Sequence, residues 1–166
     1  MTESADAPMR LEVLERQFDR TQFLFTRVDA KVNAVLAIAS GQIAVASVAV
    51  SGGDWKNLAL LIPAGLFLVS TAFTMINLYR CTFPEVKNGG ESLVYFAQAS
   101  RLSREAYLES VLSCSEEEWK KDIAIQTWKT ADIARRKFRY LKHATIFAMV
   151  SLIPWTWLLI ASTWKG

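Results

Sequence analysis

Three stretches of this chain, Val32 to Val50, Leu58 to Tyr79 and Ala144 to Trp164, contain no Lys, Arg, Asp or Glu. Each approaches or exceeds the roughly 20 apolar residues a helix needs to cross a bilayer's hydrocarbon core. Inside lipid no water is at hand to satisfy backbone N–H and C=O groups, and none of the runs shows the alternation of a barrel strand, so each is expected to span as an α-helix. The whole-chain figures, 52% hydrophobic residues and a mean hydropathy of +0.18, would suit a soluble protein equally well. Segmentation of the charge decides the class. The first apolar run begins only at Val32, behind polar and amphipathic sequence, which argues against a cleaved secretory signal.

Basic residues set the expected orientation. Arg10, Arg16, Arg20, Arg27 and Lys31 precede the first span, and a dense basic set from Arg80 to Lys142 lies between the second and third. Only Lys56 and Lys165 fall in the other two segments. Lys and Arg collect in cytoplasmic loops, which puts the N-terminus and residues 80–143 inside and the C-terminus outside. Trp55, Tyr79 and Trp164 suit the headgroup level, while Trp155 and Trp157 lie deeper than an aromatic belt requires.

The expected fold is all-α: a membrane protein with three transmembrane helices, two of them extending into a cytoplasmic helical stalk, arranged as a single unit. Residues 9–50 form a cytoplasmic helix continuing into the first span, with Pro8 suited to its first turn. Residues 57–80 form the second span, 91–143 a cytoplasmic helical region and 144–164 the third span. Ser51-Gly52-Gly53-Asp54 reads as the outer turn, Cys81-Thr82-Phe83-Pro84 as a helix stop, and Asn88-Gly89-Gly90 as a loop. Leu93, Phe96, Ser100, Arg104, Tyr107, Leu108 and Val111 outline a helix reaching about Leu112. Ser115-Glu116-Glu117-Glu118 has the form of a capping box, and the helix it opens should run on into the third span, with Pro154 its first interruption. A stalk this small favours a homo-oligomer, and Ala34, Ala37, Ser40, Gly41 and Ala44 would permit close helix approach either between copies or within one.

Catalytic chemistry finds little footing. His143 is the single histidine, Cys81 and Cys114 lack ligand-like spacing, and no phosphate-cradling glycine motif or nucleophile elbow occurs. We therefore expect no enzyme, no metal site, no resident cofactor and no nucleic-acid partner, with both cysteines as free thiols. Four polar groups remain. Arg27-Val28-Asp29-Ala30-Lys31 sits at the membrane edge, where Asp29 is expected to pair with Lys137 or Arg136, either as a register-fixing ion pair or as part of a ligand contact. The basic run Arg135 to Lys142 should attract anionic lipid, or hold a phosphate with Tyr140, although helical geometry sends its cations in different directions. Tyr95-Phe96, followed by Arg101 and Arg104, offers rings and cations that serve either as core or as a nucleotide platform. Asn33, Gln42, Ser70, Thr71, Thr74 and Asn77 are the polar groups of the first two spans, with interhelical hydrogen bonding as their default role.

The order of these motifs resembles the membrane effectors of Pycsar, the bacterial pyrimidine-cyclase anti-phage system. Arg27-Val28-Asp29-Ala30-Lys31 enters a first span, a second span ends near a proline, and Tyr95-Phe96 and Tyr107-Leu108 follow. Asp122-Ile123-Ala124-Ile125-Gln126 and Asp132-Ile133-Ala134-Arg135-Arg136-Lys137-Phe138 then lead to the last span, so the likeness runs from about Leu11 to Met149. Two-span effectors of other nucleotide-signalling defence systems share a similar long-helix layout. The resemblance implies a partner pyrimidine nucleotide cyclase, activated by infection, that makes cUMP or cCMP. It implies an effector in the bacterial inner (cell) membrane that responds by impairing that membrane, with growth arrest or abortive infection as the result. Arg27, Asp29, Lys31, Tyr95, Phe96, Gln126, Lys137 and Tyr140 match recurring positions of that family, with their roles open. Since the chain has no β-rich cyclic-nucleotide module, any such site would be built by the helical stalk. The competing reading is a non-catalytic oligomeric membrane scaffold or anchor that binds a protein partner through that stalk.

Overall fold

A computed structural model describes residues 10–51, 58–83 and 92–163. Among them every regular element is helical: α1 (Leu11–Val50), α2 (Leu58–Thr82), α3 (Phe96–Ala99), α4 (Arg104–Ser113), α5 (Glu116–Val150) and α6 (Leu152–Thr163). Three helical stretches, Leu11–Val50, Leu58–Thr82 and Glu116–Thr163, are long and apolar enough to cross a membrane. Pro8, the turn at 52–54, Trp55, Lys56, Pro84, the loop at 88–90, Trp164 and Lys165 lie outside the described residues. The chain divides into two compact units, one made of Met1–Thr26 and Glu85–Arg135, the other of Arg27–Pro84 and Arg136–Gly166. Both α1 and α5 contribute residues to each.

The second unit is the membrane-embedded one, and its inside is unusual for water but ordinary for lipid. Buried positions recur at steps of three and four on each helix. On α1 they are Val28, Val32, Ala39, Gln42 and Ala46; on α2, Ala64, Phe67, Thr71, Thr74, Leu78 and Cys81. On α5 and α6 they are Lys137, Leu141, Ala144, Ala148, Ser151 and Leu158. That spacing averages 3.5 residues, the period of a left-handed, near-aligned helix bundle. Many of these side chains are small or polar, whereas bulky ones such as Val48, Leu68 and Ile153 are 66–75% exposed, turned outward to lipid. Lipid tails are as apolar as leucine, so burying large groups gains little, and close approach over small ones is what holds the helices together. Two clusters result, one of Val28, Val32, Leu78, Cys81, Leu141 and Ala144, the other of Ala46, Val50, Leu60, Ala64, Phe67 and Leu158.

The hydroxyls of the second span do not bond across helices as expected. Ser70, Thr74 and Thr82 each donate to the carbonyl four residues back in α2, and the Asn77 amide donates to Phe73 O. Short side chains reach their own i−4 carbonyl more readily than a neighbouring helix. The crossing contact belongs to Gln42: Trp155 Nε1–H donates to its carbonyl at 3.0 Å, and Ser151 Oγ lies 3.2 Å from its side-chain oxygen. Trp155 is thus tied into the bundle. Pro154 lacks the N–H that would continue the ladder, and the helix is interrupted for one residue, Ser151, between α5 and α6. Backbone bonds from Ser151 to Phe147 and from Trp155 to Ser151 carry the chain across, so the third span runs on much as expected.

In the first unit the helix expected to reach Leu112 is broken. Ser103 is extended at φ −65°, ψ 158° and its side chain accepts from Ala106 N–H, so a fresh N-cap divides α3 from α4. The capping box is present. Ser115 N–H donates to Glu118 Oε2 at 2.9 Å and Glu118 N–H returns to Ser115 Oγ at 3.3 Å. The Ser115 hydroxyl, then its N–H, holds the Glu118 carboxyl below its ordinary 4.5. A lowered folded value contributes stability that is whole above the ordinary value and is lost as pH falls through the depressed one. The protection factor of the Glu118 amide should therefore fall in the wild type as pH drops below the ordinary value, and in Ser115→Ala it should be low already at neutral pH; unchanged protection in that variant would contradict the cap.

Candidate functional site

At the charged end of the membrane unit, Lys137 Nζ lies 3.0 Å from Asp29 Oδ1. Of the two bases considered for Asp29, Lys137 makes this contact. The inward stripe of α5 explains the choice, since it carries Lys137 with Ala134 and Leu141, while Arg136 stands one position off that stripe and is only partly buried. Lys137 is 8% exposed, and a cation so placed needs a compensating acceptor. The Asp29 side chain stays 55% exposed, leaving water on one side of the pair. Beneath it Cys81 Sγ donates to the Lys137 carbonyl at 3.3 Å, joining the end of α2 to the same turn of α5. Both cysteines are free thiols.

The other sequence candidates are divided between the two units. Arg27 and Lys31 are exposed, and Tyr140 packs partly buried against the cluster around Leu141 with the Arg139 guanidinium 5.8 Å from its ring. Tyr95 and Phe96 lie in the first unit with ring centroids 5.2 Å apart, Phe96 being 77% exposed. Gln126, in the same unit, is 3% exposed and its Nε2 has no hydrogen-bond partner. The structure thus brings Asp29 and Lys137 into contact and sets Tyr95 beside Phe96. Tyr95, Phe96 and Gln126 belong to the first unit, and Arg27, Asp29, Lys31, Lys137 and Tyr140 to the second.

A site that sequence reasoning missed lies in the first unit. Asp122 Oδ2 accepts from Ser92 Oγ at 3.0 Å, Leu93 N–H at 2.9 Å and Val94 N–H at 3.2 Å, and Tyr95 N–H then donates to Ser92 Oγ. One carboxylate on α5 therefore organises the turn that leads into α3. Beside it opens a cavity of about 780 Å3 whose lining includes Gln98, Leu102, Ser110, Lys121, Asp122 and Ile125. Its two carboxylates are already engaged, Asp122 by those three donors and Glu118 by Ser115. Lys121 is the one cation of the lining and has no carboxylate partner among the described residues, while the donors to Asp122 and Glu118 are uncharged and leave both carboxylates negative. The volume falls in the roughly 300–1,000 Å3 range of small-molecule sites. Apolar walls, a primary amide and hydroxyls suit a flat polar ring, and Lys121 is the one group of the lining that can meet an anion.

The fold and this geometry define a helical membrane protein with three spans and a polar, ligand-sized cavity in its charged unit. The chain belongs to the Pycsar effector protein domain family, PycTM, which matches residues 13–164. It is accordingly a membrane-embedded effector of anti-phage defence. Comparison with curated proteins and with solved structures gives no match.

Proposed function

We propose that this effector responds to a cyclic pyrimidine nucleotide, cUMP or cCMP, supplied by a partner cyclase, and impairs the bacterial inner membrane through rearrangement of a homo-oligomer, arresting growth. The observation that carries the reading is the family match over nearly the whole described chain. The cavity beside Asp122 supports it chemically. A cyclic nucleotide bears one phosphodiester charge, which Lys121 can meet only as a local contact beside the two hydrogen-bonded carboxylates, while Gln98 can read an amide-like base edge and Leu102 and Ile125 offer apolar faces. In this reading the N-terminus and residues 80–143 face the cytoplasm, where the nucleotide is made. A ligand shifts a conformational equilibrium only by its differential affinity for the two states, and moving a population from 1:99 to 99:1 takes about 5.5 kcal/mol. Since α5 lines the cavity and contributes residues to both units, ordering of the cavity walls acts on a helix that runs on toward the third span.

The test is equilibrium binding of cUMP and of cCMP to the full-length protein in nanodiscs. Wild type is expected to bind at least one, and Lys121→Glu to weaken binding by roughly tenfold or more, as reversal of a charge contact should. Absence of binding by wild type would refute the sensing role. Equal binding by the variant would refute the site.

A further inference from the structure

A second cavity, in the membrane unit, lies between α1 and α5. It measures about 670 Å3, and Lys31 and Lys142 are the charged residues of its lining. The remaining wall includes Ala34, Val35, Phe138 and Met149, and its one other polar side chain, Thr145, spends its hydroxyl proton on Leu141 O at 2.9 Å. No carboxylate lines it. Neither lysine has an ion-pair partner among the described residues, in contrast to Lys137 a turn away. From Lys142 to Val150 a helix rises roughly 12 Å, close to the ~15 Å of one leaflet's hydrocarbon. The groove is therefore cationic where the charged segment ends and apolar for about the depth of a leaflet.

We infer that this groove binds an anionic phospholipid, its phosphate held by Lys31 and Lys142 and an acyl chain laid along Ala34, Val35 and Met149. Charge complementarity selects the occupant: a zwitterionic lipid brings its own cation to the lysines, and a free anion leaves the apolar length unfilled. Diffuse attraction by the neighbouring arginines would enrich anionic lipid nearby without requiring a groove. The lipid site spans the two helices that also reach the charged unit, so its occupancy would bias whichever arrangement of α1 against α5 keeps the groove open. It stands independently of nucleotide sensing.

The experiment is native mass spectrometry of the full-length protein released from nanodiscs containing equal phosphatidylglycerol and phosphatidylcholine. Wild type should retain phosphatidylglycerol preferentially, and Lys31→Gln with Lys142→Gln should reduce that preference by roughly fivefold per lysine, the scale of a surface-lipid charge contact. Ala34→Phe, which fills the groove without changing charge, should also lower retention, whereas Arg139→Gln, which removes an exposed cation outside it, should not. An equal fall with Arg139→Gln, or full retention with Ala34→Phe, would overturn the site. If Ala34→Phe instead dissociates the oligomer while lipid retention stays unchanged, the groove is a contact between copies and the inference fails.

Discussion

Replacing Asp122 with alanine is expected to unfasten the turn at Ser92–Tyr95 while leaving the spans intact. The carboxylate accepts three donors, two of them backbone N–H groups with no alternative partner in a regular helix. Hydrogen bonds to a charged acceptor contribute about 1.5–3 kcal/mol each, and partial exposure lets water replace some of that, so a net loss of roughly 2–4 kcal/mol is expected. The Leu93 and Val94 amides should exchange rapidly in Asp122→Ala, and binding in the adjoining cavity should fall with them. Asp122→Asn keeps a neutral acceptor and should lie between. Amide exchange by mass spectrometry reads both; protection equal to wild type at Leu93 and Val94 in the alanine variant would show that the hub is not holding the turn.

The Asp29–Lys137 pair should behave differently, because it joins α1 to α5 within the membrane unit. Severing a fully buried pair costs about 3–5 kcal/mol, whereas exposed pairs are worth under about 1 kcal/mol. With Lys137 buried and Asp29 half in water, Asp29→Asn should cost roughly 1–2 kcal/mol, between those limits. Asp29→Lys should cost more, since it sets two cations where one pair stood. Combining Asp29→Lys with Lys137→Glu should restore much of the loss in thermal unfolding followed by circular dichroism in detergent. A swap no more stable than either reversal alone would mean the contact carries no pairwise energy.

Much of the fold was legible because charge is absent from three long runs and because helix ends announce themselves. Ser115 and Glu118, three apart, wrote a cap that the structure contains, and the periodicity of Phe18, Phe25, Val28 and Val32 carried α1 unbroken from Leu11 to Val50. Asp29 stood out as an acid among bases, which pointed to Lys137 or Arg136 as its partner. Other features were hidden for physical reasons. The periodic apolar positions from Leu93 to Val111 masked the new N-cap at Ser103, since serine is tolerated inside helices and its cap depends on local backbone. The Asp122 hub joins residues about thirty positions apart, and nothing local to Ser92 or Asp122 marks the partnership. The cavity next to it lies beside that tertiary contact, and nothing in the sequence around Lys121 or Gln98 marks it. The longer side chain of Gln42 is what lets its oxygen meet Ser151, whereas Trp155 bonds the Gln42 backbone carbonyl, which no side-chain type announces.

The central claim is that nucleotide sensing reaches the bilayer through this chain itself. Full-length protein reconstituted into liposomes loaded with a self-quenched dye, and exposed in turn to cUMP, cCMP and the purine counterpart cAMP, tests it most directly. Dye release triggered by cUMP or cCMP, reduced by Lys121→Glu and absent with cAMP, is the expected result. Equal release with and without saturating cyclic pyrimidine nucleotide, in vesicles shown to contain the folded protein, would contradict it.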